Sequence, residues 1–234
     1  MPDGLERQLP LDFGQAPQFG RDNFLVSRCN ETALALIEEW PDWPSRALLL
    51  IGPPGSGKSH LAAIFAARSH AAIISSGAVA RANLVALASD HAVVVEDVDR
   101  IDRGCEASLF HLFNLVQEAR GSLLVTARSK PETWGLRTAD LLSRLRLCPT
   151  VELSAPDEAL LEAVIVKLFL DRQLIVDAGL IAYIALHIER SFDAARRLVD
   201  LADREALARG VPITKSLLRE LVQALPDEGP NGGR

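Results

Sequence analysis

Residues 52–59 read Gly-Pro-Pro-Gly-Ser-Gly-Lys-Ser, preceded by Ala47-Leu48-Leu49-Leu50-Ile51 and followed by His60-Leu61-Ala62-Ala63-Ile64-Phe65-Ala66-Ala67. The apolar run predicts a buried strand, and the following spacing predicts a helix. A strand, a glycine loop and a helix N-terminus in this order form a phosphate-binding loop. Gly52, Gly55 and Gly57, with Pro53, Pro54 and Ser56, let the backbone curl until its N–H groups converge, and the helix end adds partial positive charge. Lys58 is then placed to reach the β- and γ-phosphates, and the Ser59 hydroxyl to ligate Mg²⁺. His60 follows in the first helical turn. The expected ligand is ADP or ATP with Mg²⁺.

Working outward, short apolar stretches alternate with helical ones. Strands are expected over 47–51, 71–75, 92–95, 122–126 and 150–153, with helices centred on 60–69, 80–89, 105–119 and 138–146 and an earlier one over 30–40. Near-continuous apolar strands separated by helices predict an α/β fold with a parallel five-stranded sheet covered on both faces. After Pro156 the alternation stops. Residues 157–172, 177–189, 192–209 and 214–225 carry helical spacing, with Asp157 and Thr214 suited to N-caps and Gly210 to a helix end. The expected organisation is a flexible arm over 1–22, a nucleotide-binding core over 23–156, a small all-helical lid over 157–225, and a disordered tail over 226–234.

The composition is that of a folded protein with a substantial core: 234 residues, 48% hydrophobic, with a net charge of −6. That acidity argues against a broad nucleic-acid-binding surface. Cys29, Cys105 and Cys148 are too scattered for a metal site and read as reduced thiols. There is no basic-then-apolar leader, and no apolar run approaches the ~20 residues of a membrane span. The expectation is a soluble, cytoplasmic protein.

A second piece of nucleotide chemistry is Val93-Val94-Val95-Glu96-Asp97. A buried strand ending in two carboxylates can hold the metal's water shell and position an attacking water. Thr126 ends the next apolar strand, where it either orients that water or serves as an ordinary β-branched strand residue. Arg144 lies in Leu141-Leu142-Ser143-Arg144-Leu145, and an arginine presented across an interface stabilises charge on a neighbour's γ-phosphate. Arg120, Arg128, Arg137 and Arg146 are nearby. Arg190 opens the third helix of the small subdomain, where folding back onto the phosphates is possible, and Arg196 competes for that role. Finally, Gln8-Leu9-Pro10-Leu11-Asp12-Phe13 places spaced leucines and an aromatic in a polar arm. Such a peptide can insert Leu11 and Phe13 into an apolar pocket, with Gln8 at its rim.

Together the loop, the acid pair, Thr126, Arg144 and the helical lid resemble the AAA+ ATPases, and within them the replication initiator DnaA and its relatives, over about residues 20 to 225. Asp22-Asn23-Phe24-Leu25-Val26 looks like the family's entry segment at the adenine pocket, which implies nucleotide contacts for Phe24 and Leu25. Ser143-Arg144-Leu145 looks like its arginine-finger box, with Leu145 replacing the usual aromatic. The family usually has Asp where Glu96 stands, so weak hydrolysis of the chain's own nucleotide is expected. Residues 205–234 hold no cluster of basic helix residues, so no sequence-specific DNA binding is expected. The chain therefore resembles the Hda-type regulators that lack the initiator's DNA-binding domain. That resemblance implies two partners, the initiator DnaA and the DNA polymerase sliding clamp, the latter through residues 8–13. It implies stimulation of initiator-bound ATP hydrolysis through Arg144, with ADP as the form that supports activity. The same surfaces leave room for a homo-oligomer. A DNA-dependent helicase loader and a clamp-loader-like subunit are the competing readings.

Overall fold

The computed structural model describes residues 19–224. They fall into two compact units, one ending at Ala155 and the other beginning at Pro156. The arm peptide Gln8–Phe13 and the expected tail over 226–234 lie outside the described residues.

The first unit is a parallel sheet of five strands in the order β2-β3-β4-β1-β5: β1 Ala47–Ile51, β2 Ala72–Ser75, β3 Ala92–Glu96, β4 Ser122–Ala127 and β5 Thr150–Glu152. Alternate strand residues divide between two apolar layers. Leu49, Val93, Val95, Leu123 and Val125 pack on one face, and Leu48, Leu50, Val94 and Leu124 on the other. Burial on both faces explains why β1 reads as an unbroken apolar run, and β4 as a near-continuous one, rather than alternating. The edge strand β2 is half-exposed.

Helices α1 (Glu31–Glu38) and α2 (Lys58–Ser69) bury Leu34, Ile37, Leu61 and Phe65 against the second face. Helices α3 (Leu84–Ser89), α4 (Glu106–Glu118) and α5 (Ala139–Leu147) cover the first with Ala88, Leu109, Leu112, Leu141 and Leu145. The helix expected over 80–89 is instead a 3-10 turn, Ser76–Arg81, followed by the short α3. The break falls where Asn83 turns extended and its side-chain oxygen accepts from the Ala86 N–H at 3.1 Å. That cap restarts the helix instead of letting it run through.

The second unit is helical: α6 Glu158–Asp171, α7 Ala178–His187, α8 Phe192–Arg209 and α9 Lys215–Ala224. Each start is set by a short polar side chain accepting from a backbone N–H: Asp157 from Leu160 at 2.8 Å, Asp177 from Gly179 at 2.7 Å, Ser191 from Ala194 at 3.1 Å, and Thr214 from Leu217 at 3.3 Å. Gly210, at φ 63°, ends α8 in the left-handed conformation that glycine adopts without strain. Leu161, Ile165, Phe169, Ile184, Leu198 and Leu218 form a core of their own. Arg209 forks onto both Glu220 oxygens at 2.9 Å, tying α8 to α9.

Candidate functional site

The phosphate loop leaves the carboxyl end of β1, and its shape follows from its glycines. Gly55 and Gly57 hold φ of 67° and 97°, a region costly for any side chain, and Gly57 leads directly into α2. Gly52 is required for a different reason. A Cβ there would lie 2.7 Å from Ser56 Oγ and 2.8 Å from the Leu153 carbonyl oxygen. Lys58 is buried inside the curl, its ammonium donating to the carbonyls of Gly52 at 2.7 Å and Pro53 at 2.8 Å. An anionic phosphate oxygen is a stronger acceptor than either neutral carbonyl, so the ammonium is poised to shift to one. Ser59 is exposed at the first turn of α2.

Strand register brings the other expected groups alongside. Leu50 pairs with Thr126 across β1 and β4, and Val95 pairs with Val125 across β3 and β4, so Glu96 comes level with Thr126 one residue further on. The Thr126 hydroxyl, in a residue 1% exposed, accepts from the Asp97 N–H at 3.1 Å, and the Ser76 hydroxyl donates to the Asp97 carbonyl at 2.9 Å. Asp97 sits in the left-handed region at φ 55°, held there by these two contacts, with its residue exposed. Thr126 is thus a brace between strand ends as well as a hydroxyl at the site. Ser76 joins the constellation without any sequence signal, because its contact spans 21 positions.

Two buried polar atoms here have no hydrogen-bond partner among the described residues: Ser56 Oγ in the loop and Glu96 Oε1 at the end of β3. Buried oxygens are normally satisfied, so this pair fits a site built to take further polar groups. Among the described residues no three His, Cys, Asp or Glu side chains converge as a metal cluster. A Mg²⁺ held here would take its other ligands from phosphate and water, as that ion usually does.

The entry segment closes on the start of α2. Phe24 is buried and meets the His60 ring edge-on at 5.0 Å, while Phe19 meets it at 5.3 Å. His60 Nε2 also lies 2.9 Å from the Gly20 carbonyl oxygen. Leu25 is half-buried, its carbonyl accepting from Asn30 Nδ2 at 2.9 Å. Residues 19–25 are therefore fastened to the helix that begins in the phosphate loop.

Arg144 lies elsewhere. It lines a pocket at the amino ends of β1 and β4, beside Ala47 and Leu123, together with Arg46, Phe113, Gln117 and Leu147. That is about one strand length, roughly 15 Å, from the chain's own phosphate loop. Its guanidinium donates to Gln117 Oε1 at 2.8 Å, with Asn114 Oδ1 at 3.5 Å, and among the described residues it pairs with no carboxylate. Arg146, two positions on, is tied to Glu132 at 3.0 Å. Leu147, on the pocket rim, is 79% exposed. Cys148 beneath it is buried, which pushes its thiol up to about 11 against the opposing pull of Arg144.

Glu106, at the start of α4 and 3% exposed, anchors the approach to α5. Its carboxylate accepts from the backbone N–H groups of Thr138 at 2.8 Å and Arg137 at 3.0 Å. Burial pushes its carboxyl pKa up, but the Thr138 and Arg137 hydrogen bonds outweigh it and the net value lies below the usual glutamate range.

Arg190 does not open a helix. It precedes Ser191, the N-cap of α8, whose side chain sets the helix start at Phe192, as the spacing over 192–209 predicts. Within the second unit it lies 3.7 Å from Glu158, both side chains being largely exposed.

A parallel sheet in the order 2-3-4-1-5 with a phosphate loop after β1, followed by a helical unit, is the AAA+ fold. Solved structures bear out this class. Domain III of the Thermotoga maritima replication initiation protein DnaA superposes with a TM-score of 0.76 at 17% identity, covering 89% of this chain and 97% of that one. AMPPCP-bound DnaA from Aquifex aeolicus gives 0.67 at 17% identity, covering 80% of this chain and 65% of that one. The Thermotoga maritima RuvB Holliday junction branch migration motor gives 0.68 at 19% identity, covering 89% of this chain and 74% of that one. No family model and no curated protein matches the sequence. The fold is thus a DnaA- and RuvB-like AAA+ fold. Among the described residues no helix is long and apolar enough to cross a membrane.

Proposed function

We propose that this chain is a cytoplasmic, nucleotide-binding AAA+ regulator that acts on a partner's ATP, in the manner of the Hda-type proteins. The partner is the replication initiator DnaA, and the tether is the sliding clamp. The observation that carries the reading is the placement of Arg144: a cation held by the neutral Gln117 amide, a strand length from its own phosphate loop, with no carboxylate against it among the described residues. Such an arginine has no task at its own nucleotide. Offered to a neighbour, it stabilises charge developing on the γ-phosphate oxygens, an effect worth ~10³–10⁵ in rate where it has been measured in nucleotide hydrolysis.

The chain's own loop holds ADP or ATP through Lys58 and the converging N–H groups, with residues 19–25 and His60 beside it. Ser59, Glu96 and Asp97 would hold Mg²⁺, which supplies charge neutralisation between phosphates when bound. Arg190 or Arg196 of the helical unit is the candidate for sensing the bound nucleotide. Glu96 in place of the usual aspartate supports a mainly structural nucleotide with slow turnover.

The test is the rate of initiator-bound ATP hydrolysis with this protein and clamp loaded on DNA. Arg144→Ala should abolish stimulation while leaving the protein's own nucleotide binding intact. Arg144→Lys should rescue poorly, because an ammonium lacks the planar fork. Stimulation at the wild-type rate by Arg144→Ala would reject the reading. The likeness to a branch migration motor supports a second reading, a DNA-dependent motor. Rapid DNA-stimulated ATP turnover by the protein alone would favour it.

A further inference from the structure

Helix α4 grips α5 at both ends. Near its start, Glu106 takes the N–H groups of Arg137 and Thr138, the residues that lead into α5. Near its end, Gln117 takes one terminal nitrogen of Arg144 at 2.8 Å. The Asn114 contact, at 3.5 Å, is beyond ordinary N–H···O range. The short contact on the guanidinium fork is therefore the one from Gln117.

The chemistry of that acceptor is unusual for this surface. The chain has 31 acidic against 25 basic residues, so carboxylates are plentiful. Neighbouring cations take them: Arg146 pairs with Glu132 at 3.0 Å, and Lys130 with Glu152 at 2.9 Å. Arg144 alone of these three meets an amide oxygen instead. A carboxylate would add an ion pair to that contact and would offset the charge of the fork. An amide fixes the direction of the group while leaving its full positive charge, and it gives way more easily to a phosphate oxygen. The apolar side chains of Phe113 and Val116 in the same pocket limit the directions left to the arginine stem.

We propose that Gln117 is the positioning residue for Arg144, aiming its guanidinium at a partner's phosphates through a contact that must be neutral. This rests on the reading of Arg144 as a group acting on a partner's nucleotide. Gln117 is exposed in the last turn of α4, beside Glu118, a place that already carries a carboxylate, so Gln117→Glu is a probe of charge.

The experiment measures initiator-bound ATP hydrolysis against rising concentrations of the full-length protein, with clamp-loaded DNA, for wild type, Gln117→Glu, Gln117→Ala and Arg144→Ala. Gln117→Glu should lower the maximal rate at least about tenfold, because the new carboxylate neutralises and retains the fork. Its half-saturating concentration and its melting temperature should stay close to wild type. Gln117→Ala should lose only a few-fold, since the charge survives and only its aim is relaxed. Equal losses in the glutamate and alanine variants would overturn the proposal, as would wild-type rates in both. If Arg144→Ala itself stimulates normally, the function assigned to Arg144 fails. If Arg144→Ala is inactive while both Gln117 variants are normal, only the role of Gln117 fails.

Discussion

Gly52→Ala adds one methyl group at a point where the loop has no room for it. The new Cβ would lie 2.7 Å from Ser56 Oγ, 2.8 Å from the Leu153 carbonyl oxygen and 3.1 Å from Leu153 Cβ. The serine hydroxyl can rotate away, but the carbonyl belongs to backbone. The Leu153 N–H also donates to the Ile51 carbonyl at 2.7 Å, so Leu153 cannot retreat without stretching that bond. Overpacking of this kind costs about 1–3 kcal/mol. At roughly 2–4 °C per kcal/mol for a protein of this size, the melting temperature should fall by about 2–12 °C. Nucleotide affinity should fall as well, because the Gly52 carbonyl is one of the two that position the Lys58 ammonium. The assay is a thermal melt without nucleotide, paired with calorimetric titration of ADP. Gly77→Ala is the matched control, since a Cβ there meets nothing within 4 Å and its φ is not positive. If Gly52→Ala melts within about 1 °C of that control and binds ADP equally well, the steric account of the loop is wrong.

Lys58→Ala should weaken ADP and ATP binding strongly, and with it the gain in melting temperature that saturating ligand confers on the wild type; unchanged calorimetric affinity would show that nucleotide binds elsewhere. Replacing Leu11 and Phe13 together by alanine should abolish clamp binding in a surface-capture assay while ADP affinity stays intact, and retained clamp affinity would remove that peptide from the proposal. Glu106→Gln should cost about 1–3 kcal/mol at neutral pH, by weakening two charge-assisted hydrogen bonds at a buried group. Because the folded carboxyl titrates below the ordinary glutamate value of about 4.3, its stabilisation is present above that value and is lost as pH falls through the lower folded one. The gap between variant and wild type in denaturant melts should therefore narrow below about pH 4, and a gap constant with pH would show that the charge is not what stabilises.

What the sequence determined by itself is the chemistry carried in unbroken runs. The stretch 47–59 yields strand, loop and helix in order, because backbone curvature and phosphate-facing N–H groups need only glycines at fixed spacing. Double-sided burial of β1 and β4 was legible for the same reason: a strand with no exposed face admits no polar alternation. Helix starts at Asp157 and Thr214 and the stop at Gly210 were likewise legible, since caps act over three or four residues. The tertiary structure alone decided what is joined across distance. Register brought Glu96 level with Thr126, and Thr126 with the Asp97 amide 29 positions away. Packing of α4 against α5 chose the environment of Arg144, giving it Gln117 while giving Arg146 a carboxylate. Charge pattern along the chain cannot separate two arginines two residues apart on one helix. Only their opposite facing, set by which side of α5 is buried, makes one a surface ion pair and the other a cation left with its charge.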